Sequence, residues 1–338
     1  MKSLSSIFSF DTLQGNPLAL LKSPAFLLVA GAVFALDLAA RVALPDDRIA
    51  RGAYHSAELR EQVQQYQQIP APDLLIIGSS IAAVNFPPET LDATLRENGY
   101  VNFTSFNAGI RGCNYICIKR GIHKHYLSHS LPKNALLVVG PQDISSNNAF
   151  VVSRSRDFVA SFDLPATQRW FRNTLSHLSS LYGFDEHIRE FLTGGDWNFD
   201  TARVAERGHV NMGNDERPRY PEYPQFTDSG EPVESLESLI QSLKDKGVHV
   251  IILPILGDSQ AIAKLKGSAK QDFFTLARRI ATTHDVSLLE ALEGHLPDEA
   301  YIDDIHLNYP GAREHGKLVA MRLLQQNVLP RNQKAATQ

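Results

Sequence analysis

The chain has 338 residues, of which 43% are hydrophobic and 21% charged, and its formal net charge is −4. This composition indicates a globular protein with a sizeable core. The charge gives no support to nucleic-acid binding, which usually brings a basic patch. Two cysteines, Cys113 and Cys117, are too few for a disulfide framework or, alone, for a structural zinc site. We interpret both as packed apolar residues on one helical face, with a disulfide or redox role as the alternative.

An apolar stretch near the N-terminus, residues 24–44 (PAFLLVAGAVFALDLAARVAL), is long enough to cross a bilayer, which takes roughly 20 residues. Asp37 and Arg41 interrupt its second half and, four residues apart on a helix, could pair or face a partner protein. We predict an uncleaved membrane anchor within an N-terminal segment of residues 1–50. A buried amphipathic helix and a cleaved signal peptide are the alternatives. The flanking charges are too balanced to settle the orientation.

Strand-like and helical patterns alternate through the rest of the chain. A polar linking helix, YHSAELREQVQQYQQIP, ends before Pro70. Strand-like runs follow in DLLIIG, YVNFTSFNAG, ALLVVGPQD, VHVIILPIL and, more weakly, VSLLEALE. Helical patterns lie between them in PPETLDATLREN, NYICIKRGIHKHYLSH and VESLESLIQSLKDKG. Such alternation predicts an α/β fold, a parallel sheet with helices on both faces.

The alternation breaks between about residues 150 and 232, a part rich in aromatics, arginines, prolines and glycines. We interpret it as an insertion of one or two helices and long loops into a domain of residues 51–330. Insertions of this size often act as lids or substrate clamps, although a poorly ordered excursion is the alternative. Residues 331–338 (RNQKAATQ) are a polar tail.

Several polar residues follow the predicted strands directly. Ser79 and Ser80 follow the first strand, and residues 107–112 and 140–143 follow the next two. In a parallel sheet, binding and catalytic groups collect at the carboxyl ends of the strands. We therefore expect all three segments to lie on one edge of the sheet.

An Asp-x-x-His pair, Asp303 and His306, precedes a helix that is predicted to begin at about Pro310. In a tight loop the carboxylate can hold the imidazole Nδ1–H, which leaves Nε2 free to take a proton from a hydroxyl. Such a pair arises often by chance. Together with a serine on the same edge of the sheet, it indicates nucleophilic catalysis.

The sequence FNAGIRGCN after the second strand has the spacing Asn107-x-Gly109-x-x-Gly112. Glycines there let the backbone approach a ligand and present N–H groups to a developing oxyanion. A strand-to-helix turn that needs a positive φ is the alternative. The pattern only weakly resembles a dinucleotide-binding fingerprint, since it follows the wrong strand.

Four blocks in order, IIGSS, NAGIRG, VVGPQD and DDIHLN, resemble the SGNH (GDSL-like) hydrolase superfamily over roughly residues 73–326, with the insertion of residues 150–232 outside the match. The resemblance implies a three-layer, flavodoxin-like parallel sheet. It also implies that Ser80 is the nucleophile, that His306 is the general base oriented by Asp303, and that Gly112 supplies an oxyanion N–H.

The resemblance is incomplete at two positions. Ser79 stands where the family usually has the aspartate of Gly-Asp-Ser, and Gln142 stands where it has the oxyanion asparagine. Glutamine can donate the same amide hydrogen bond but is one methylene longer. Asn107 and Gln142 complete the expected oxyanion and substrate-binding set.

The motifs GSS and HLN, with an N-terminal membrane segment, resemble one membrane-anchored branch of this superfamily. That branch includes bacterial polysaccharide O-acetyltransferases and the D-alanyl transfer protein of teichoic-acid modification. The resemblance implies a single-pass protein of the bacterial inner membrane whose domain lies on the periplasmic side, often beside a membrane-bound O-acyltransferase.

The implied reaction is transfer of an acyl group, expected to be acetyl, to a cell-surface polysaccharide through an acyl-serine intermediate. An ester hydrolase of the same fold and a non-catalytic scaffold are the alternatives. No organic cofactor and no metal is expected. Three neighbouring histidines lack a carboxylate at a matching spacing, and we interpret them as solvated: His123, His125 and His129.

Overall fold

A five-stranded parallel sheet organises the described part of the chain. The computed structural model describes residues 54–145, 203–214, 227–290 and 296–330, together with Leu28, Gly31, Ala32 and Ala35. The sheet strands are β1 (Leu74–Ile77), β2 (Ser105–Asn107), β3 (Asn134–Val139), β6 (His249–Pro254) and β7 (Ser287–Leu288). Their order is β2-β1-β3-β6-β7, and every neighbouring pair is parallel. All five predicted strands are therefore confirmed, and the order is the flavodoxin-like one.

Helices connect these strands. They are α1 (Tyr54–Gln67), α2 (Ser80–Asn85), α3 (Pro88–Glu97), α4 (Tyr115–Gly121), α5 (Glu231–Asp245), α6 (Ser259–Ala263), α7 (Ala269–His284) and α8 (Tyr309–Gln325). A π-helical turn, Ile122–Tyr126, extends α4, and a 3₁₀ turn, Pro141–Asp143, follows β3. Sequence patterns indicated α1, α3, α4, α5 and α8. They did not indicate α2, α6 and α7.

The core lies on both faces of the sheet, because successive strand residues point to opposite sides. Leu75 and Ile77 of β1 belong to the apolar cluster that includes α1, α4, α5 and α7. Leu74 and Ile76 belong to the other cluster, with α2, α3 and α8. The strand residues that face either cluster are apolar, which explains why the strand sequences are continuous hydrophobic runs. The three-layer architecture expected from the sequence is confirmed.

The helix α1 is part of the core rather than a linker on the surface. Leu59 and Tyr66 are 4% and 0% exposed. The Tyr66 ring packs edge-on against Phe106 of β2 and Tyr126, with ring centroids 5.1 and 5.0 Å apart. Its hydroxyl donates to the Ser130 carbonyl at 3.0 Å. The polar helix that the sequence indicated therefore packs against the β2 end of the sheet.

A short hairpin from the predicted insertion also packs into this unit. Its strands are β4 (Arg203–Val204) and β5 (Val210–Asn211), which pair antiparallel. Val210 and Met212 pack in a cluster with Ala83 and Val84 of α2. Residues 203–214 thus contact the helix that begins at Ser80. The rest of the predicted insertion up to residue 226 lies outside the described residues, as does the tail, residues 331–338.

One interpretation from the sequence is wrong. Cys113 and Cys117 are both buried, but they form a disulfide, with Cα atoms 5.5 Å apart, rather than packing as free thiols. His315 in α8 is also buried, at 6% exposed. Its Nδ1 lies 3.1 Å from the Asn85 carbonyl, and burial lowers its pKa to about 4. A neutral His315 can donate this bond at neutral pH.

The predicted anchor, residues 24–44, lies outside the described residues except for four helical positions, Leu28, Gly31, Ala32 and Ala35. Within the part of the chain that the structure describes, no helix has both the length and the hydropathy that a bilayer span requires. The anchor therefore stays a prediction.

Candidate active site

Ser80 lies at the carboxyl end of β1, in the first turn of α2, and is half-buried. Ser79 is the N-cap of this helix, and its Oγ accepts a hydrogen bond from Ile81 N at 3.4 Å. Because the first N–H groups of a helix have no intrahelical acceptor, the Ser80 N–H remains available as a donor. The turn thus holds a hydroxyl and an N–H at the strand end, where the sequence predicted a nucleophile.

Asp303 and His306 form the hydrogen-bonded pair that their spacing predicted. Asp303 Oδ2 lies 2.7 Å from His306 Nδ1, and Oδ1 accepts from the backbone N–H groups of Ile305 and His306 at 2.8 and 2.7 Å. Burial alone would raise the pKa of Asp303. The His306 charge and these hydrogen bonds outweigh it, and the pKa is lowered. An ionised Asp303 fixes the imidazole with Nδ1 as donor.

The other ring nitrogen of this pair is buried and accepts no hydrogen bond from a described residue. His306 is 7% exposed, and its Nε2 is without a partner. A buried polar atom usually has a partner, so an unsatisfied one needs an explanation. With Nδ1 held by Asp303, this Nε2 is chemically able to take a proton from a hydroxyl. The Ser80–His306 hydrogen bond itself is not made, as is common in catalytic sites without substrate.

Asn85 joins α2 to the loop of the Asp–His pair. Its Nδ2 donates to the Ile305 carbonyl and its Oδ1 accepts from Leu307 N, both at 2.9 Å. Asn85 is only five residues beyond Ser80, a distance of about 7.5 Å along a helix. The structure therefore brings Ser80, Asp303 and His306 to one region at the carboxyl edge of the sheet. Sequence analysis missed Asn85, which carries no motif of its own.

The 109–112 loop lies directly beside the Ser80 turn. Ile110 N donates to the Gly78 carbonyl at 2.9 Å. A Cβ on Gly109 would lie 2.3 Å from Ala83 N, so only glycine permits this contact with α2. Gly112 has φ +71° and is exposed, and no described hydrogen bond uses its N–H. The loop can thus present the Gly112 N–H near Ser80.

Gln142 and Asp143 lie near the turn that carries Ser79 and Ser80. The Gln142 amide folds over Gly140, where a Cβ would meet its Nε2 at 2.7 Å and the Ile81 Cδ1 at 2.8 Å. Asp143, 1% exposed, accepts from Gly140 N at 2.8 Å and from the Ser79 hydroxyl. Ser79, the departure from the family pattern, is therefore bonded to the carboxylate of the VVGPQD block. Burial raises the pKa of Asp143 to about 7, despite these two hydrogen bonds.

Asn107 has a different role from the one expected. It is 0% exposed, and its Nδ2 donates to the carbonyls of Ala82 and Phe86 at 2.7 and 2.9 Å. Its Oδ1 accepts from Gly109 N at 2.9 Å. With both ends of the amide bonded to protein and the side chain fully buried, Asn107 links α2 to the 109–112 loop.

The described residues include no group of three or more His, Cys, Asp or Glu side chains that could hold a metal ion. The site is built from a hydroxyl, an imidazole–carboxylate pair and backbone N–H groups. These are the components of nucleophilic acyl transfer.

No protein-family model matches the sequence, and no curated protein is similar enough to count as a relative. Solved structures that match include a lipase/acylhydrolase from Enterococcus faecalis, with 13% identity over 75% of this chain and 96% of its own, and a TM-score of 0.41. An esterase described as SGNH-hydrolase family has 14% identity over 78% of this chain and 99% of its own, with a TM-score of 0.38. A mutant acetylxylan esterase from Geobacillus stearothermophilus has 13% identity over 77% of this chain and 95% of its own, with a TM-score of 0.39. These neighbours are described as hydrolases, and similarity at this level carries no argument about the activity of this chain.

Proposed function

We propose that the chain is an SGNH-type serine acyltransferase, anchored in the membrane, that moves an acyl group onto a cell-surface polysaccharide. The observation that carries the catalytic part is the Asp303–His306 pair, with a buried and unpartnered Nε2, on the loop that Asn85 ties to the helix of Ser80. Buried polar atoms usually have a partner, and an Nε2 with none among the described residues, on an imidazole oriented by a carboxylate, is what a general base requires.

In the proposed first step, Ser80 Oγ attacks the carbonyl carbon of an acyl donor while His306 Nε2 takes the hydroxyl proton. The N–H groups of Ser80 and Gly112 stabilise the oxyanion, and removing one such donor typically costs about 10²–10³ in kcat. The tetrahedral intermediate collapses when the leaving group takes the proton from His306. Ser80 is then acylated, and Asp303 has kept the imidazole oriented throughout.

In the second step, a sugar hydroxyl gives its proton to His306 and attacks the acyl-serine. The new ester leaves as Ser80 Oγ regains the proton. Water in place of the sugar hydroxyl would make the same residues an ester hydrolase. The acceptor thus distinguishes a transferase from an esterase, because the two share every protein group.

The proposed location is the bacterial inner membrane, with the domain on the periplasmic side, where the polysaccharide and a membrane-bound O-acyltransferase partner would be found. The Cys113–Cys117 disulfide supports this, since disulfides persist mainly in oxidising compartments. The apolar segment 24–44 supports the anchor.

Intact-protein mass spectrometry after incubation with an aryl acetate tests the nucleophile. We expect wild-type protein to gain one acetyl group and Ser80→Ala to gain none. Ser79→Ala is the matched control, since Ser79 is 3% exposed and serves as the helix cap. It should still be acetylated. Equal labelling of wild type and Ser80→Ala would refute the assignment.

Adding oligosaccharide acceptors to the acetylated protein then separates the two reactions. Acetylated sugar indicates a transferase, whereas release of acetate at the same rate with and without acceptor indicates a hydrolase. A wild type that no acyl donor acylates would favour the scaffold alternative.

A further inference from the structure

Two side chains of α1 bond to the 109–112 loop. Gln62 Nε2 donates to the Gly109 carbonyl at 3.1 Å, and Gln62 is 1% exposed. One turn earlier, Glu58 Oε1 pairs with Arg111 Nη1 at 2.8 Å. The two side chains of this ion pair are only 12% and 9% exposed. The loop is therefore bonded to α1 at Gly109 and at Arg111.

The Gln62 amide also fixes the hairpin that packs on α2. Its Nε2 donates to the Gly208 carbonyl at 2.7 Å, and Gln65 Oε1 accepts from Gly208 N at 2.9 Å. One buried amide thus bridges two segments that both contact α2. Its loss would leave two carbonyls without this donor in a buried place, which is unfavourable for each of them.

The position of these bonds around Gly112 gives them a functional meaning. Arg111 immediately precedes Gly112, and Gly109 lies three residues before it. Gly112 has a positive φ and no described hydrogen bond on its N–H, so local backbone bonding does not fix the direction of that N–H. The side-chain bonds from α1 restrain the peptide units on its N-terminal side instead.

We infer that α1 is a positioning element of the catalytic site, in which Gln62 and Glu58 aim the Gly112 N–H at the developing oxyanion. This rests on the proposed function, because it assigns a purpose to the same site. Gln62 and Glu58 touch no substrate and act through the 109–112 loop. A displacement of the donor lowers the rate of acylation, since an oxyanion donor acts only at the correct distance from the oxyanion.

The test replaces Gln62 with methionine in the full chain, which removes both donated bonds at a similar side-chain size. Gln64→Met is the matched control, since Gln64 is exposed on the same helix. We expect Gln62→Met to lower kcat for an aryl acetate by about tenfold or more with little change in KM, the pattern of an interaction made only in the transition state. Amide hydrogen exchange across residues 109–114 should become faster. Gln64→Met should change neither quantity.

A second variant keeps the test decisive if Gln62→Met does not fold. Glu58→Gln retains a neutral acceptor for Arg111 and should lower kcat less than Glu58→Ala does. If Gln62→Met speeds amide exchange in the loop but keeps kcat within twofold of the kcat of Gln64→Met, the inference is overturned and the proposed function stands. An unchanged exchange rate of the loop amides in Gln62→Met would also overturn the inference. A wild type no more active than Ser80→Ala would instead refute the proposed function, and with it this purpose for α1.

Discussion

Two buried carboxyl groups near Ser80 have opposite pKa shifts, and the difference lies in their partners. Burial raises the pKa of both. Asp303 also faces the His306 ring and two backbone N–H groups, and its pKa ends below the usual value. Among the described residues, Asp143 has only the Ser79 hydroxyl and one backbone N–H as partners, and its pKa rises to about 7. Asp303 therefore stays charged to orient His306, while Asp143 is partly protonated at neutral pH.

The raised pKa of Asp143 predicts a pH-dependent loss of stability. Between about pH 4 and pH 7 the folded state holds a proton on Asp143 that the unfolded state releases, so stability falls as the pH rises through this window. We expect the melting temperature of wild type, measured between pH 4.5 and 8, to fall relative to that of Asp143→Asn, which has no proton to lose.

The difference in melting temperature between wild type and Asp143→Asn isolates the contribution of Asp143. Asp303 and His315 have lowered pKa values, so their contributions to stability are lost as the pH falls, in the opposite direction. Both groups are present in wild type and in Asp143→Asn, so their contributions to stability cancel in the comparison. Parallel melting curves for wild type and Asp143→Asn across this range would contradict the assignment.

At the scale of elements, the site depends on how closely the β4–β5 hairpin approaches β2 and α2. Gly208 has φ +81°, and a Cβ there would lie 2.0 Å from the Asn107 carbonyl. The adjacent His209 places its Nε2 2.8 Å from the Val84 carbonyl, near the end of α2. The hairpin therefore supports the helix that begins at the nucleophile.

Gly208→Ala is expected to displace the hairpin and to lower both stability and turnover. Gly247→Ala is the matched control, because Gly247 also has a positive φ, +77°, but a Cβ there meets nothing within 4 Å. Both substitutions carry the backbone cost of about 1–2 kcal/mol. Denaturant unfolding should show a larger loss for Gly208→Ala, and aryl acetate turnover should fall in that variant alone. Equal losses would show that the approach to Asn107 is unimportant.

At the scale of the whole molecule, the proposed polysaccharide acceptor requires the domain to lie outside the cytoplasm. A reporter fused after Leu44 tests this directly. We expect an alkaline phosphatase fusion to be active and a cytoplasm-dependent fluorescent fusion to be dark. The reverse result would remove the polysaccharide from the proposal but would leave acyl transfer at Ser80 standing.

The strands and most helices could be predicted because their signals are local. Continuous apolar runs such as LLII and IILP fit strands buried on both faces, and α5 begins near a proline and ends before a glycine. The helix α2 was missed because its six residues, SIAAVN, are almost wholly buried. A short segment without a polar face has no amphipathic period to detect.

Sequence patterns alone predicted Ser80 after a strand and an aspartate three residues before His306 that would hold Nδ1, and the Asp303–Nδ1 contact is present in the structure. The residues that surround and support this predicted site became visible only in the packed fold. Tertiary structure paired Ser79 with Asp143, committed the Asn107 amide to α2, and brought Gln62 to Gly109 across 47 residues of chain. The physical reason is that a hydrogen bond between distant segments depends on how helices and loops pack on the sheet. No local pattern of residue types records that packing.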